Sequence, residues 1–241
     1  MTHRAQRLIA TSVFILSLLV TSAMMTPAAA QNLAGKDLGG KDLGGKDSGG
    51  KDLSGKDLGG NDLRDIRLGK PVTDLPDAGY VNLACASDSG KTLTTWLGWR
   101  DCPADASGFH AIKFGYDPTA SRDGTIVAGH PAVLTLLVDD AGTVSGLRID
   151  TDPKARLYIR KKAFLFGIQV KSRYGLDGWS CTQAQPNAGE QPVGGVHVKE
   201  RCMKTTHNRS IVVERNLFRK PDQDMKNFVD ETRMTILRTK D

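Results

Sequence analysis

Beyond residue 30 the chain lacks any apolar run long enough to cross a bilayer core of roughly 30 Å, so no later segment reads as a membrane span. No cysteine follows the N-terminal apolar run, which argues against a lipid-anchored lipoprotein. The four cysteines, Cys85, Cys102, Cys181 and Cys202, lack the short C-x-x-C type of spacing that a zinc site uses. The nucleophile elbow G-x-S-x-G and the metalloprotease motif H-E-x-x-H are both absent. "SDSGKT" at 87–92 ends like a phosphate-binding loop, but Cys85 stands where that loop needs glycine, so it reads as a surface turn. These absences remove the commonest hydrolase, metalloprotease and nucleotide-binding classes.

What is present begins with an export signal. Arg4 and Arg7 precede the apolar stretch Leu8 to Val20, and "TPAAAQ" supplies small residues for cleavage after Ala30. Residues 1–30 are therefore expected to be a signal peptide, with a retained anchor as the alternative. Export places the cysteines in an oxidising compartment, where an even count favours disulfides. Cys85–Cys102 and Cys181–Cys202 are the preferred pairs, because each closes a modest loop within its own half of the domain. The expected location is periplasmic or secreted.

Residues 31–65 beat in fives. Asp recurs at 37, 42, 47, 52, 57 and 62, Lys precedes it in five units, and Leu follows it in five. From Asn32 to Asp65 this phase resembles the pentapeptide-repeat proteins, a resemblance that implies a coil with Leu pointing inward. The small inward residue of that family is replaced here by Lys, and an unpartnered buried ammonium would cost several kcal/mol, about the scale of other buried charges. Glycine pairs add chain entropy that so short a coil could not offset. The segment is therefore expected to be a flexible tether. Order induced by a partner and a metal array on the aspartates are the alternatives, although no EF-hand spacing or RTX nonapeptide occurs.

From residue 66 the composition can support a core, and 66–241 is expected to form one disulfide-stabilised α+β domain, with related halves at 66–152 and 153–241 left open. "HAIKFGYD" alternates Ile112, Phe114 and Tyr116 on one face. Val133–Val138 and Val144–Ile149 flank "DDAG" as a hairpin. Between Pro153 and Gly175, Ala163, Phe166, Gly167, Val170 and Tyr174 recur at helical steps. Strands follow in "WSCTQ", "GGVHVKERCMK", "RSIVVERNLF" and "TRMTILRT". In the second of these, Val196, Val198, Glu200 and Cys202 share a face. The order predicts a mainly antiparallel sheet with one principal helix. "IRLGKPVTDL" before a sheet and the "LLVDDAGTVSGLRI" hairpin resemble small periplasmic BamE-like or PepSY-like modules. That resemblance implies a binding or assembly accessory and carries over no residue.

Residues 151–241 carry eighteen Lys or Arg against ten Asp or Glu. This basic half suits an ordinary solvated face, or an acidic partner: an envelope protein, a glycan or a lipid headgroup. Nucleic acid is not an expected partner outside the cytoplasm, and no cofactor or metal is expected. In "TTWLGWRDCP", Trp96, Trp99 and Arg100 are the candidate binding residues, since Trp and Arg concentrate at interaction hot spots. Packing beside a disulfide is the competing reading. His110 and His130, with Asp101, Asp105 and Asp117 nearby in sequence, are the candidates for a hydrolase-like alternative. A basic stretch before an apolar one, "LYIRKKAFLFG", suggests either a buried amphipathic helix or a membrane-surface segment. The expected function is an exported, non-catalytic binding or accessory protein of the bacterial cell envelope.

Overall fold

The computed structural model describes residues 61–119, 124–206, 208–221, 223–224 and 227–239. The expected signal peptide, the repeat through residue 60 and His207 lie outside the described residues. Within them the protein is mostly antiparallel sheet with one bent helix.

Alternation writes most of the strands. β1 (Tyr80–Cys85), β2 (His110–Tyr116), the short β3 (Ile126–Val127), β4 (His130–Val138) and β5 (Val144–Thr151) precede the helical segment. α1 (Leu157–Arg160) and α2 (Ala163–Arg173) form the bent helix, and β6 (Ser180–Gln183), β7 (Val198–Thr206), β8 (Arg209–Phe218) and β9 (Val229–Arg238) follow. The spatial order is β1-β2-β4-β5-β9-β8-β7-β6, with β3 paired to β4. Each half is thus a four-stranded meander running from a sheet edge to the centre, and the antiparallel β5–β9 pair joins the two.

One face of the sheet holds the core. Ile112, Phe114, Leu134, Leu136, Leu147, Ile149, Ile211, Val213, Met234 and Ile236 point into it. α2 lies on β8 and β9 and buries Ala163, Phe166, Gly167 and Val170, the face expected from its spacing. At Gly167 a side-chain carbon would meet Thr232 and Val213 at 3.4 and 3.5 Å, ordinary contact, so the glycine is convenient there and not obligatory. Over the other half of this face lie two short 3-10 turns, Val72–Asp74 and Trp96–Asp101. In the β4–β5 turn the Asp139 carboxylate accepts from the backbone N–H of Ala141 and of Thr143, the local chemistry expected of "DDAG".

Both preferred cysteine pairs are at bonding distance. The Sγ atoms lie 2.09 Å apart for Cys85–Cys102 and 2.05 Å apart for Cys181–Cys202. The first pair is fully buried and ties the second 3-10 turn to edge strand β1. The second links directly opposed residues of β6 and β7, with Cys181 exposed and the Lys171 ammonium 3.8 Å from its sulfur. A nearby ammonium stabilises a leaving thiolate, and exposure admits the attacking thiol. On titration with a small dithiol, Cys181–Cys202 is therefore expected to open first, with Cys85–Cys102 resisting until the domain unfolds. Mass mapping of alkylated cysteines along the titration checks the order, and simultaneous opening would refute it.

Two details depart from the sequence reading. β1 was not evident because a bulge between Val81 and Ala84 breaks its alternation, with Asn82 in the left-handed region at φ 57°. The fold also begins earlier than residue 66. Asp62 is buried, its carboxylate is gripped at both oxygens by the Arg209 guanidinium (2.9 and 3.0 Å), and it accepts from the Leu68 N–H at 2.7 Å. Residues 61–65 therefore pack with the domain, and the last aspartate of the five-residue beat is anchored to β8 through Arg209.

Candidate functional site

The tryptophan pair is core. Trp96 and Trp99 are 1% and 3% exposed, which corrects the expectation that they form a binding surface. Trp96 packs edge-on against Tyr80 and Phe114, and its indole N–H donates to the Pro76 carbonyl at 3.0 Å. Trp99 lies edge-on to His110, with the Arg100 guanidinium 4.2 Å from its ring centroid. Arg100 alone of the three is exposed, so this cluster offers no aromatic platform for a ligand to stack on.

The two histidines do not meet. His110 opens β2 opposite Val138, whereas His130 is the first residue of β4, eight positions away along the same strand. At the rise of an antiparallel strand that is about 27 Å, so one site cannot use both. Both nitrogens of the His110 ring are already engaged, Nδ1 with the Cys102 carbonyl at 2.6 Å and Nε2 with Asp140 at 3.0 Å. Asp140, rather than Asp101, Asp105 or Asp117, is its carboxylate partner. His130 lines a cavity of about 10 Å³ with Asp152, Arg160 and Asp230. Burial holds the His130 pKa below its ordinary value, against a hydrogen bond that the ring donates to Gln169. Burial also pushes Asp230 up to about 6, opposed by Arg215 and Arg160. Shifted pKa values in one cavity are a mark of acid–base sites, but this one has room for about a single water and no substrate.

Glu200 lies beside Cys181 and Cys202 within ligand distance, yet both sulfurs are committed to each other, leaving one carboxylate for any metal. Part of the basic half is neutralised internally. Although desolvation acts to raise it, the Glu190 pKa is held at about 2 by hydrogen bonds from Lys199, the Asn187 N–H and His197.

A larger concavity lies on the sheet face opposite the core. It is a groove of about 370 Å³, lined chiefly by Lys113, Thr135, Arg148, Asp150, Glu214 and Arg233. Strand pairing assembles it. Lys113 on β2, Thr135 on β4 and Arg148 on β5 are direct cross-strand neighbours in one row. Asp150, Arg233, Glu214 and Arg201 form the next row across β5, β9, β8 and β7. Alternating sign makes that second row self-satisfying: Asp150 takes Arg233 and, at 3.6 Å, Arg148, while Glu214 faces Arg201 at 3.8 Å. Desolvation acts to lower the Arg233 pKa, and the Asp150 carboxylate more than offsets it.

The first row is not satisfied. Arg148 shares the Asp150 carboxylate with Arg233, Glu214 and Glu231 line the groove further along, and Lys113 has no carboxylate partner among the described residues. Between Lys113 and Arg148 the Thr135 side chain is 1% exposed, and its hydroxyl has no hydrogen-bond partner. A buried hydroxyl without a partner costs about 1–3 kcal/mol, so a ligand oxygen at this place would relieve a penalty as well as meet two positive charges. Sequence reading passed over these residues because Lys113 and Arg148 occupy ordinary outward positions of good strands, and Thr135 sits inside what reads as an apolar run. Only the register brings them into one row. Comparison with protein families, with curated proteins and with solved structures found no match to the chain.

Proposed function

We propose that the chain is an exported, non-catalytic binding or accessory protein of the bacterial cell envelope, and that the open sheet face holds a ligand through an oxyanion group, carboxylate or phosphate. The observation that carries this reading is the buried, unpartnered Thr135 hydroxyl set between Lys113 and Arg148. Two cysteine pairs at bonding distance support an oxidising compartment, periplasmic or extracellular. No helix among the described residues is long and apolar enough to cross a membrane. The neighbouring ladder of Asp150, Arg233, Glu214 and Arg201 gives the groove both signs of charge, so the anionic end of a ligand has one preferred place and orientation.

Titrating the protein with inorganic phosphate and, separately, with acetate at low ionic strength tests this by amide NMR. Saturable shifts are expected at Lys113, Thr135 and Arg148. Lys113→Gln should weaken binding about tenfold and Thr135→Val several-fold, near the lower end of the about 1.5–3 kcal/mol that a hydrogen bond to a charged group contributes. The stronger of the two anions identifies the headgroup class. Shifts that never saturate, or that persist unchanged in both variants, would overturn the assignment.

A further inference from the structure

The sheet groove leaves a second feature unexplained, the helical segment on the opposite side of the sheet. From Pro153 to Leu176 the sequence carries seven Lys or Arg and no Asp or Glu. Of the eight large hydrophobic side chains exposed among the described residues, five fall in this same stretch: Leu157, Tyr158, Leu165, Ile168 and Leu176. Tyr158, Ile168 and Leu176 are 59%, 55% and 72% exposed. A soluble surface scatters such residues singly, and their concentration in one segment marks an interaction face.

α2 has two different sides. Ala163, Phe166, Gly167 and Val170 face the sheet. Leu165 and Ile168, three positions apart and so on neighbouring turns, project the other way, and the exposed Lys161 and Lys162 stand at the bend just before them. Lys154 and Arg156 are exposed at the N-terminal end of the segment. None of these four cations has an ion pair among the described residues, whereas Lys171 is paired with Glu200 at 3.0 Å and Arg160 and Arg173 bond to backbone carbonyls. The outer face therefore combines unneutralised positive charge with apolar side chains that no described residue covers.

We propose that this outer face of α1–α2, from Lys154 to Leu176, seats the protein on an anionic lipid surface. Long basic side chains reach the headgroups while Leu165, Ile168, Tyr158 and Leu176 enter the headgroup–acyl boundary, the arrangement that holds interfacial helices in place. Charge complementarity decides for lipid: four unpaired cations, in a stretch of sequence without one acidic residue, fit a continuous sheet of anionic headgroups, and tyrosine is at home at that depth. The reading is independent of the groove, since none of these residues lines it.

Vesicle co-sedimentation of the full chain tests it. Vesicles of phosphatidylcholine alone are compared with vesicles containing phosphatidylglycerol, for the wild type, for Lys161→Gln with Lys162→Gln, and for Leu165→Ser with Ile168→Ser. All four sites are exposed, and far-ultraviolet circular dichroism verifies that the fold is kept. The apolar run at 8–20 is common to every arm, so only differences between lipids and between variants are read. The expected result is at least tenfold more binding to the anionic vesicles at low salt, reduced by 0.5 M salt. That gain should fall at least fivefold in each double variant. Absence of a phosphatidylglycerol-dependent gain, or a gain unchanged in either double variant, overturns the proposal and leaves the face to a protein partner.

Discussion

Asp62→Ala is expected to destabilise the domain by about 3–5 kcal/mol, the cost of removing one partner from a buried ion pair. Asp62 is held by Arg209 through two parallel hydrogen bonds and also accepts the Leu68 N–H. The side chains are 3% and 12% exposed, so truncation leaves a guanidinium in low dielectric without its counter-charge and orphans a backbone donor. Residues 61–68 are also fastened by the Leu63–Ile66 bridge and by Arg173, which bonds to the Asp62 carbonyl at 3.3 Å. Loss of the pair should therefore loosen this segment and the α2 end it touches together. Urea unfolding gives the free energy, and the double variant Asp62→Leu with Arg209→Met separates two explanations. If the penalty is an uncompensated charge, the double variant loses less than Asp62→Ala alone, because no ion is left buried. A loss under about 1 kcal/mol for the single variant would mean that the 61–68 segment contributes little to the folded state.

This residue also shows what the sequence can and cannot express. Asp62 carries the same spacing signature as the five aspartates before it, and periodicity alone places it in the tether. Its difference lies in a partner 147 positions away, which no local pattern reveals. The fold was legible where one period governed one element. Ile112, Phe114 and Tyr116 alternate into the core, and the α2 face was written in its three- and four-residue steps. The cysteine pairs were legible because short closures within each half are the economical choice. β1 was illegible because Asn82 adds a residue to the alternation. The candidate site was illegible for a deeper reason. A groove on an open sheet face is made of outward residues from separate strands, and outward residues are polar whether or not they bind anything. Lys113, Thr135 and Arg148 acquire meaning only from the pairing of β2, β4 and β5. Trp96 misled in the opposite sense, since its composition signal is the same in a hot spot and in a core.

Trp96→Ala accordingly separates those two meanings, and it is expected to cost about 3–5 kcal/mol in stability, as for other large-to-small aromatic truncations in cores. The indole fills the space between Tyr80 and Phe114 with ring centroids 5.4 and 5.3 Å away, both edge-on. It also holds the chain that precedes β1, because its Nε1–H satisfies the Pro76 carbonyl and its backbone N–H bonds to the Asp77 carboxylate at 3.1 Å. Truncation thus opens a cavity, breaks two aromatic contacts and orphans a carbonyl. Trp96→Phe retains most of the packing and forfeits the hydrogen bond, so a loss of about 1–2 kcal/mol is expected for it. Arg100→Ala removes an exposed side chain that lies over the Trp99 ring, and about 0.5 kcal/mol or less should follow. The graded series Ala, Phe and Arg100→Ala, read by urea unfolding, is the signature of a core residue. A binding hot spot would show the reverse: a stable Trp96→Ala protein, unchanged in its unfolding, that had lost only its partner.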